Sequence, residues 1–304
     1  MYILVKGTLS VLKKMGGGER ELNRILPGEC FGEIALISQE GRYAKIKALT
    51  YIECLEISES DFTGLMNGNH EFDQGVMRIL INRLKYSENQ ASKNILNAYH
   101  ALIFSLANLA ESRDPETGAH LNRVQNYCSR LSELLSALPE YREIISPKFI
   151  KNIYIVSPLH DIGKVGIPDS MLLKPGKLTR EEFAVMKCHC TIGAMTLEKV
   201  VQVCPHLIFQ QAYNIALNHH ERYDGKGYPN GLSGNKIPVE ARIMALADVY
   251  DALLSKRVYK EPYGYKPSAR IIQEGAGSQF DPVIAQVMLD NISDFEKIHQ
   301  MYDD

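Results

Sequence analysis

The chain changes texture once, near Ser58, and that change limits it to two kinds of folding unit in series. Residues 2–13 and 43–57 mix Val, Ile, Leu, Thr and Tyr in near-alternating polarity, broken by Gly7, Gly16, Gly17, Gly18, Pro27, Gly28 and Gly41. That pattern predicts short antiparallel strands. Beyond it, Ser60 and Asp61 can cap a short helix, and residues 71–112 contain almost no Gly or Pro after Gly75, so this stretch is expected to be helical. From Asn94 to Asp304 helices and short loops alternate, with breaks at Asp114-Pro115, Gly163 to Pro168, Pro175-Gly176, Gly225 to Gly234 and Asp281-Pro282. No solenoid repeat is visible.

Composition narrows the partners. The 34 Lys+Arg nearly cancel the 36 Asp+Glu, leaving a net charge of −2 with no basic run, which argues against nucleic acid or an anionic membrane as the main partner. The opening MYILVKGTLSVLKK lacks the apolar core of a signal peptide, and no long apolar run follows, so a cytoplasmic protein is expected. Cys30, Cys54, Cys128, Cys188, Cys190 and Cys204 show no CxxC spacing; reduced, core-type thiols are expected, Cys188 and Cys190 included.

Ile95, Tyr99, Leu102, Leu106 and Leu109 step by four and three residues in turn, the seam of two helices lying side by side. It reads equally as a homodimer contact through a connector helix or as the buried face of the first helix of the second domain.

In the β region, Phe31-Gly32-Glu33-Ile34-Ala35-Leu36 precedes Arg42-Tyr43-Ala44. Free N–H groups after Gly32 can hold a phosphate, Glu33 can accept from a ribose hydroxyl, and Arg42 can neutralise the charge. The pattern resembles the phosphate-binding cassette of cyclic-nucleotide-binding domains of the catabolite-activator type over about residues 1–66. The chain lacks that family's first helix and further strands, and Tyr43 stands where a small residue is usual. A nucleotide effector site and a truncated β-roll used only for contact therefore both remain open.

Five of the nine histidines, His120, His160, His189, His219 and His220, lie in stretches rich in Asp, Glu and Gly. Imidazoles beside carboxylates suit Mn, Fe, Ni or Zn, and carboxylates readily bridge two ions. With Asp114 as N-cap and Pro115 next, Glu116 and His120 share a helix face at i, i+4. Glu116 also reads as an acidic residue complementing a helix N-terminus. Arg123, one turn further, can steady a ligand or a phosphate.

Several motifs occur in order: Glu111-Ser112-Arg113-Asp114-Pro115, His120-Leu121-Asn122-Arg123, His160-Asp161-Ile162-Gly163-Lys164, Met186-Lys187-Cys188-His189, His219-His220-Glu221 through Gly227-Tyr228-Pro229, Ala247-Asp248-Val249-Tyr250-Asp251, and Gln279-Phe280-Asp281-Pro282. Together they resemble the HD-GYP domain over roughly 200 residues. The fold expected is multidomain: a partial, cyclic-nucleotide-binding-like antiparallel β-roll (1–66), a long helical connector (67–94) and an all-α HD-domain bundle (95–304). The resemblance implies a phosphohydrolase that cleaves cyclic di-GMP with two or three divalent ions, Fe or Mn first, then Ni, Zn or Mg. By motif, one ion falls to His120, His160, Asp161 and Asp248, and a second to Asp161, His189, His219 and His220. Glu116 matches a carboxylate ligand of three-metal members. Tyr228, Arg257 and Lys260 match positions that contact the dinucleotide.

A water bridging two such ions is driven toward hydroxide and suits in-line attack on a phosphodiester. Lys164, four residues after His160, can stabilise developing charge or protonate the leaving oxygen. The expected products are pGpG and, after a second cut, GMP. A receptor that binds without turnover and a hydrolase of the mixed guanine–adenine dinucleotide are the alternatives. The family also suggests a diguanylate cyclase contact through the Gly-Tyr-Pro loop.

Overall fold

A computed structural model describes residues 1–15, 18–33, 44–68, 75, 97–111, 118–255 and 262–302. The chain divides into two compact units, Met1–Lys93 and Asn94–Asp304. The expected connector, apart from its first residues and Gly75, and the residues Arg42, Glu116, Arg257 and Lys260 lie outside the described residues.

In the first unit, β1 (Tyr2–Lys6), β2 (Leu9–Met15), β3 (Gly18–Ile25), β4 (Cys30–Phe31), β5 (Lys45–Ala48) and β6 (Glu53–Glu56) form two antiparallel three-stranded sheets, ordered β4-β1-β6 and β3-β2-β5. Alternation turns Leu4, Leu9 and Ile25 into a small shared core. The strand β3 was not anticipated, because its GERELNRI sequence alternates charge rather than apolar bulk. Helix α1 (Glu59–Gly68) follows, and Ser58, not Ser60 or Asp61, caps it: the Asp61 amide donates to Ser58 Oγ at 3.2 Å.

The second unit is helical. After α2 (97–111) come α3 (Gly118–Ser136), α4 (Pro147–Val156), a 3-10 segment (Ser157–Gly166), α5 (Asp169–Leu172), α6 (Arg180–Met186), α7 (Cys188–Val203), α8 (Leu207–Asn218), α9 (Val239–Leu254), α10 (Tyr265–Gly275), α11 (Pro282–Asp290) and α12 (Ile292–Met301). The break read at Asp281-Pro282 coincides with a cap, and Ser146-Pro147, not read from sequence, forms another. Asp281 accepts from the amides of Val283 and Ile284 ahead of Pro282, and Ser146 accepts from Phe149 ahead of Pro147. Helix α3 is central: Leu121, Val124, Tyr127, Cys128, Leu131 and Leu135 are fully buried, and Tyr127 meets Tyr250 and Phe295 at ring distances of 5.4 and 6.0 Å. Burial of each such side chain contributes about 1.5–3 kcal/mol.

On α2, burial falls on Ala107, Ala110 and Glu111, whereas Tyr99, Leu102, Leu106 and Leu109 are more than half exposed. The seam is thus not the buried face of this helix. Among the described residues no helix is long and apolar enough to cross a membrane.

The 3-10 segment lies against α7 through Gly163, where a methyl group would overlap the His189 carbonyl oxygen and crowd Gly193 N. Gly163→Ala is therefore expected to destabilise the fold by about 1–3 kcal/mol and to move His189. Denaturant unfolding checks the first effect, and an unchanged midpoint would contradict it.

Candidate metal centre

The site is assembled from helix ends. His160 and Asp161 lie in the 3-10 segment, His189 opens α7, His219 and His220 follow α8, Asp248 belongs to α9 and His120 to the first turn of α3. Three imidazoles are turned by the same device: Nδ1 of His160, His189 and His219 sits 3.0, 2.8 and 3.0 Å from the carbonyl oxygens of Ser157, Met186 and Ile215. A carbonyl only accepts, so Nδ1 carries the proton and Nε2 is the atom presented inward. His120 is turned likewise by a carboxylate, with Nδ1 2.8 Å from Asp251 Oδ2.

Asp161 stands where these Nε2 atoms converge. His189 and His219 approach its Oδ1 at 3.2 and 3.5 Å, His160 approaches Oδ2 at 3.3 Å, and Lys164 Nζ is 2.8 Å from Oδ2. Burial alone would raise this carboxyl, but Lys164 and His160 hold it well below the usual range. The rings run on in a chain: His120 to His160 5.6 Å, His160 to His219 5.3 Å, His189 to His219 5.4 Å, His189 to His220 5.1 Å. Asp248 Oδ1 is 4.0 Å from His120 Nε2. Burial pushes His219 and His220 down, with neighbouring imidazoles adding to it, so both stand neutral with lone pairs available.

The donor set fits divalent metal. Donor atoms of His189, Cys190, His219 and His220 lie within 4.8 Å of one another, and so do those of Glu111, His120 and His160. His160 Nε2 and both Glu111 oxygens are buried without a hydrogen bond, which a bound cation would relieve. Imidazole, carboxylate and thiol together suit Fe, Mn or Zn.

Two of these donors were missed from sequence. Glu111 lies in a motif already noted, and its burial follows from its place on α2 after Ala107 and Ala110. Cys190 was expected only as a core-type thiol, yet its Sγ is 3.4 Å from His189 Nε2. Arg123 needs correction as a substrate contact. Its guanidinium is buried, with Nε 2.7 Å from Asp251 Oδ1 and Nη2 3.0 Å from Ser255 Oγ, so it braces the carboxylate that turns His120. That carboxylate is held low: burial opposes its charge, and the hydrogen bonds from His120 and Arg123 prevail.

Beside the centre opens a cleft of about 290 Å³ lined by His219, His220, Tyr228, Lys226 and Asp248, among others. Tyr228 stacks on His220 with ring centroids 4.8 Å apart. Its loop is fixed from inside: Glu221 accepts from the amides of Asn230 and Leu232 at 2.7 and 3.0 Å. Gly227 is required because a side chain there would overlap Arg222 N. In the first unit, Gly32 has φ +79° and Glu33 is buried.

Burial disfavours charge on His189, but Asp161 and Cys190 raise it to about 10. At pH 7 the metal-free imidazole is therefore protonated, and an ion that binds Nε2 must expel that proton. Divalent affinity is expected to rise with pH from 6 to 8, by up to about tenfold per unit for each proton displaced. Calorimetry in buffers of different ionisation enthalpy measures the release; zero protons released would contradict the assignment.

Comparison with known proteins agrees with this geometry. The HD domain model matches residues 106–284, and the cyclic nucleotide-binding domain model matches residues 1–69. A "Probable cyclic di-GMP phosphodiesterase" of Vibrio cholerae serotype O1 is 47% identical over 232 residues, 74% of this chain and 52% of that protein. A "Cyclic di-GMP phosphodiesterase" of the same organism is 44% identical over 248 residues, 78% and 50%. A "3'3'-cGAMP-specific phosphodiesterase 2", also from Vibrio cholerae, is 42% identical over 194 residues, 64% and 35%. The chain spans about half the length of the first two. With the HD model covering more than half of its residues, the chain belongs to the HD domain family.

Proposed function

We propose that the chain is a divalent-metal-dependent phosphodiesterase that opens cyclic di-GMP to pGpG and, by a second cut, to GMP. The observation that carries this reading is the convergence of three inward Nε2 atoms on Asp161, at 3.2–3.5 Å. His120, His160, Asp161 and Asp248 hold one ion, with Glu116 adding a carboxylate; Asp161, His189, His219 and His220 hold the next. When bound, such ions, Fe or Mn by donor type, make water nucleophilic and neutralise the phosphodiester. Lys164, already paired with Asp161 at 2.8 Å, supplies charge or a proton to the leaving 3′ oxygen. Tyr228, Arg257 and Lys260 bind the dinucleotide, and the stacked Tyr228–His220 pair supports a base-facing wall.

The domain limits we propose are 1–66, 67–94 and 95–304. A nucleotide effector at Gly32, Glu33 and Arg42 is supported by the domain match over residues 1–69. The exposed Tyr99, Leu102, Leu106 and Leu109 support pairing of connector helices in a homodimer. The Gly-Tyr-Pro loop is a candidate contact for diguanylate cyclases. Six free cysteines favour the cytoplasm.

A second reading has its own observation, the 42% identity to a protein named for 3'3'-cGAMP; the metal centre does not distinguish guanine from adenine. Side-by-side turnover of both cyclic dinucleotides with Mn or ferrous iron decides between them. For either substrate, His160→Ala or Asp161→Ala is expected to lower hydrolysis by about 10³-fold or more and to lower metal content. Glu116→Ala is expected to reduce occupancy of one ion only. Full activity in Asp161→Ala would overturn the proposal.

A further inference from the structure

Glu111 ends the described part of α2 on that helix's buried side, only 3% exposed. Among the described residues neither of its oxygens has a hydrogen-bond partner, and a buried polar group left without one carries a desolvation cost. One of those oxygens lies within 4.8 Å of a ring nitrogen of His120 and of His160, which are themselves as close to each other. His120 is fixed from behind by Asp251 at 2.8 Å and His160 by the Ser157 carbonyl at 3.0 Å, so the faces turned to Glu111 are donor faces. A hard oxygen with two imidazoles is a donor set for Mn or ferrous iron.

We propose that Glu111 supplies an oxygen ligand to the divalent ion held by His120 and His160, in addition to the ligands assigned by motif. The inference rests on the metal-dependent reading above. It also accounts for a carboxyl that lies buried without a hydrogen bond among the described residues. Glu116, at the motif position, is then either a second carboxylate on the same ion or the ligand of another.

The test uses the full chain, stripped of metal and titrated with Mn(II), with equivalents bound and affinities read by calorimetry and manganese paramagnetic resonance. Glu111→Gln, which keeps the shape and removes the charge, is expected to lose one equivalent or to bind it about tenfold or more weakly, while the other equivalents keep the wild-type affinity. Glu116→Gln in parallel tells whether the two carboxylates act on one ion or two. Unchanged number and affinity in Glu111→Gln would overturn the assignment. If Asp161→Ala still abolishes binding in that case, the metal-dependent reading stands and only Glu111 falls. A wild-type chain that binds no Mn(II) sinks both. Should Glu111→Gln not fold, anomalous diffraction from Mn-loaded wild-type crystals decides: an ion between His120 and His160 at bonding distance from Glu111 supports the proposal, and an ion there out of its reach overturns it.

Discussion

Everything in the centre depends on imidazole rings being aimed before any ligand arrives, and hydrogen bonds from Nδ1 to backbone carbonyls do the aiming. Those carbonyls are where helices start and stop. Met186 is the last residue of α6, Ser157 opens the 3-10 segment, and the Ile215 carbonyl near the end of α8 accepts from both the His219 amide and its ring. A carbonyl oxygen has two lone pairs, so each can take a ring N–H, and the Ile215 oxygen does so beside its backbone bond. The close approach at Gly163 then brings the 3-10 segment against α7 and puts His160, Asp161 and His189 in one place.

Charge is arranged in two tiers. At the centre, Asp161 is kept ionised despite burial by Lys164 and His160; behind it, Asp251 is kept ionised by His120 and Arg123. In each case the carboxylate is paired, which burial demands. The second pair also reaches the Tyr302 carbonyl through Arg123 Nη1 at 2.9 Å, tying the orientation of His120 to the far end of the unit. A substitution at Ser255, whose hydroxyl holds Arg123, can thus be felt at the candidate metal centre without touching it.

What the sequence made legible was what is local. His160-Asp161, His219-His220 and the Gly-Tyr-Pro loop declare themselves because neighbours in sequence share one task, and Asp281-Pro282 declares a helix start for the same reason. The misses are non-local or context-bound. Arg123 was left between steadying a ligand and steadying a phosphate because its partner Asp251 is 128 residues away. Lys164 was placed by α-helical spacing from His160, whereas the segment is 3-10 and the ion pair is with Asp161, three residues back. Strand β3 carries no apolar stripe because it lies at one edge of its sheet, and a solvent-facing edge selects charge. Glu111 was named only as part of a motif, and its burial shows once the pitch of α2 puts it on one side with Ala107 and Ala110.

The two ends of the imidazole chain differ in charge, and that difference bears on where a phosphodiester enters. At the His120–His160 end the nearby side chains are carboxylates: Glu111 buried, Asp248 at 4.0 Å, Asp251 behind. At the other end stand neutral His219 and His220, with Lys226 on the rim of the adjoining cleft. Were ions bound at both ends, carboxylates would offset more of the charge beside His120, and an anion would meet less compensated positive charge at the His219–His220 end. Tyr228, stacked on His220, lies at that same end. Under the proposed function, phosphate and base recognition would converge on the cleft, which Asp248 joins to the His120 end.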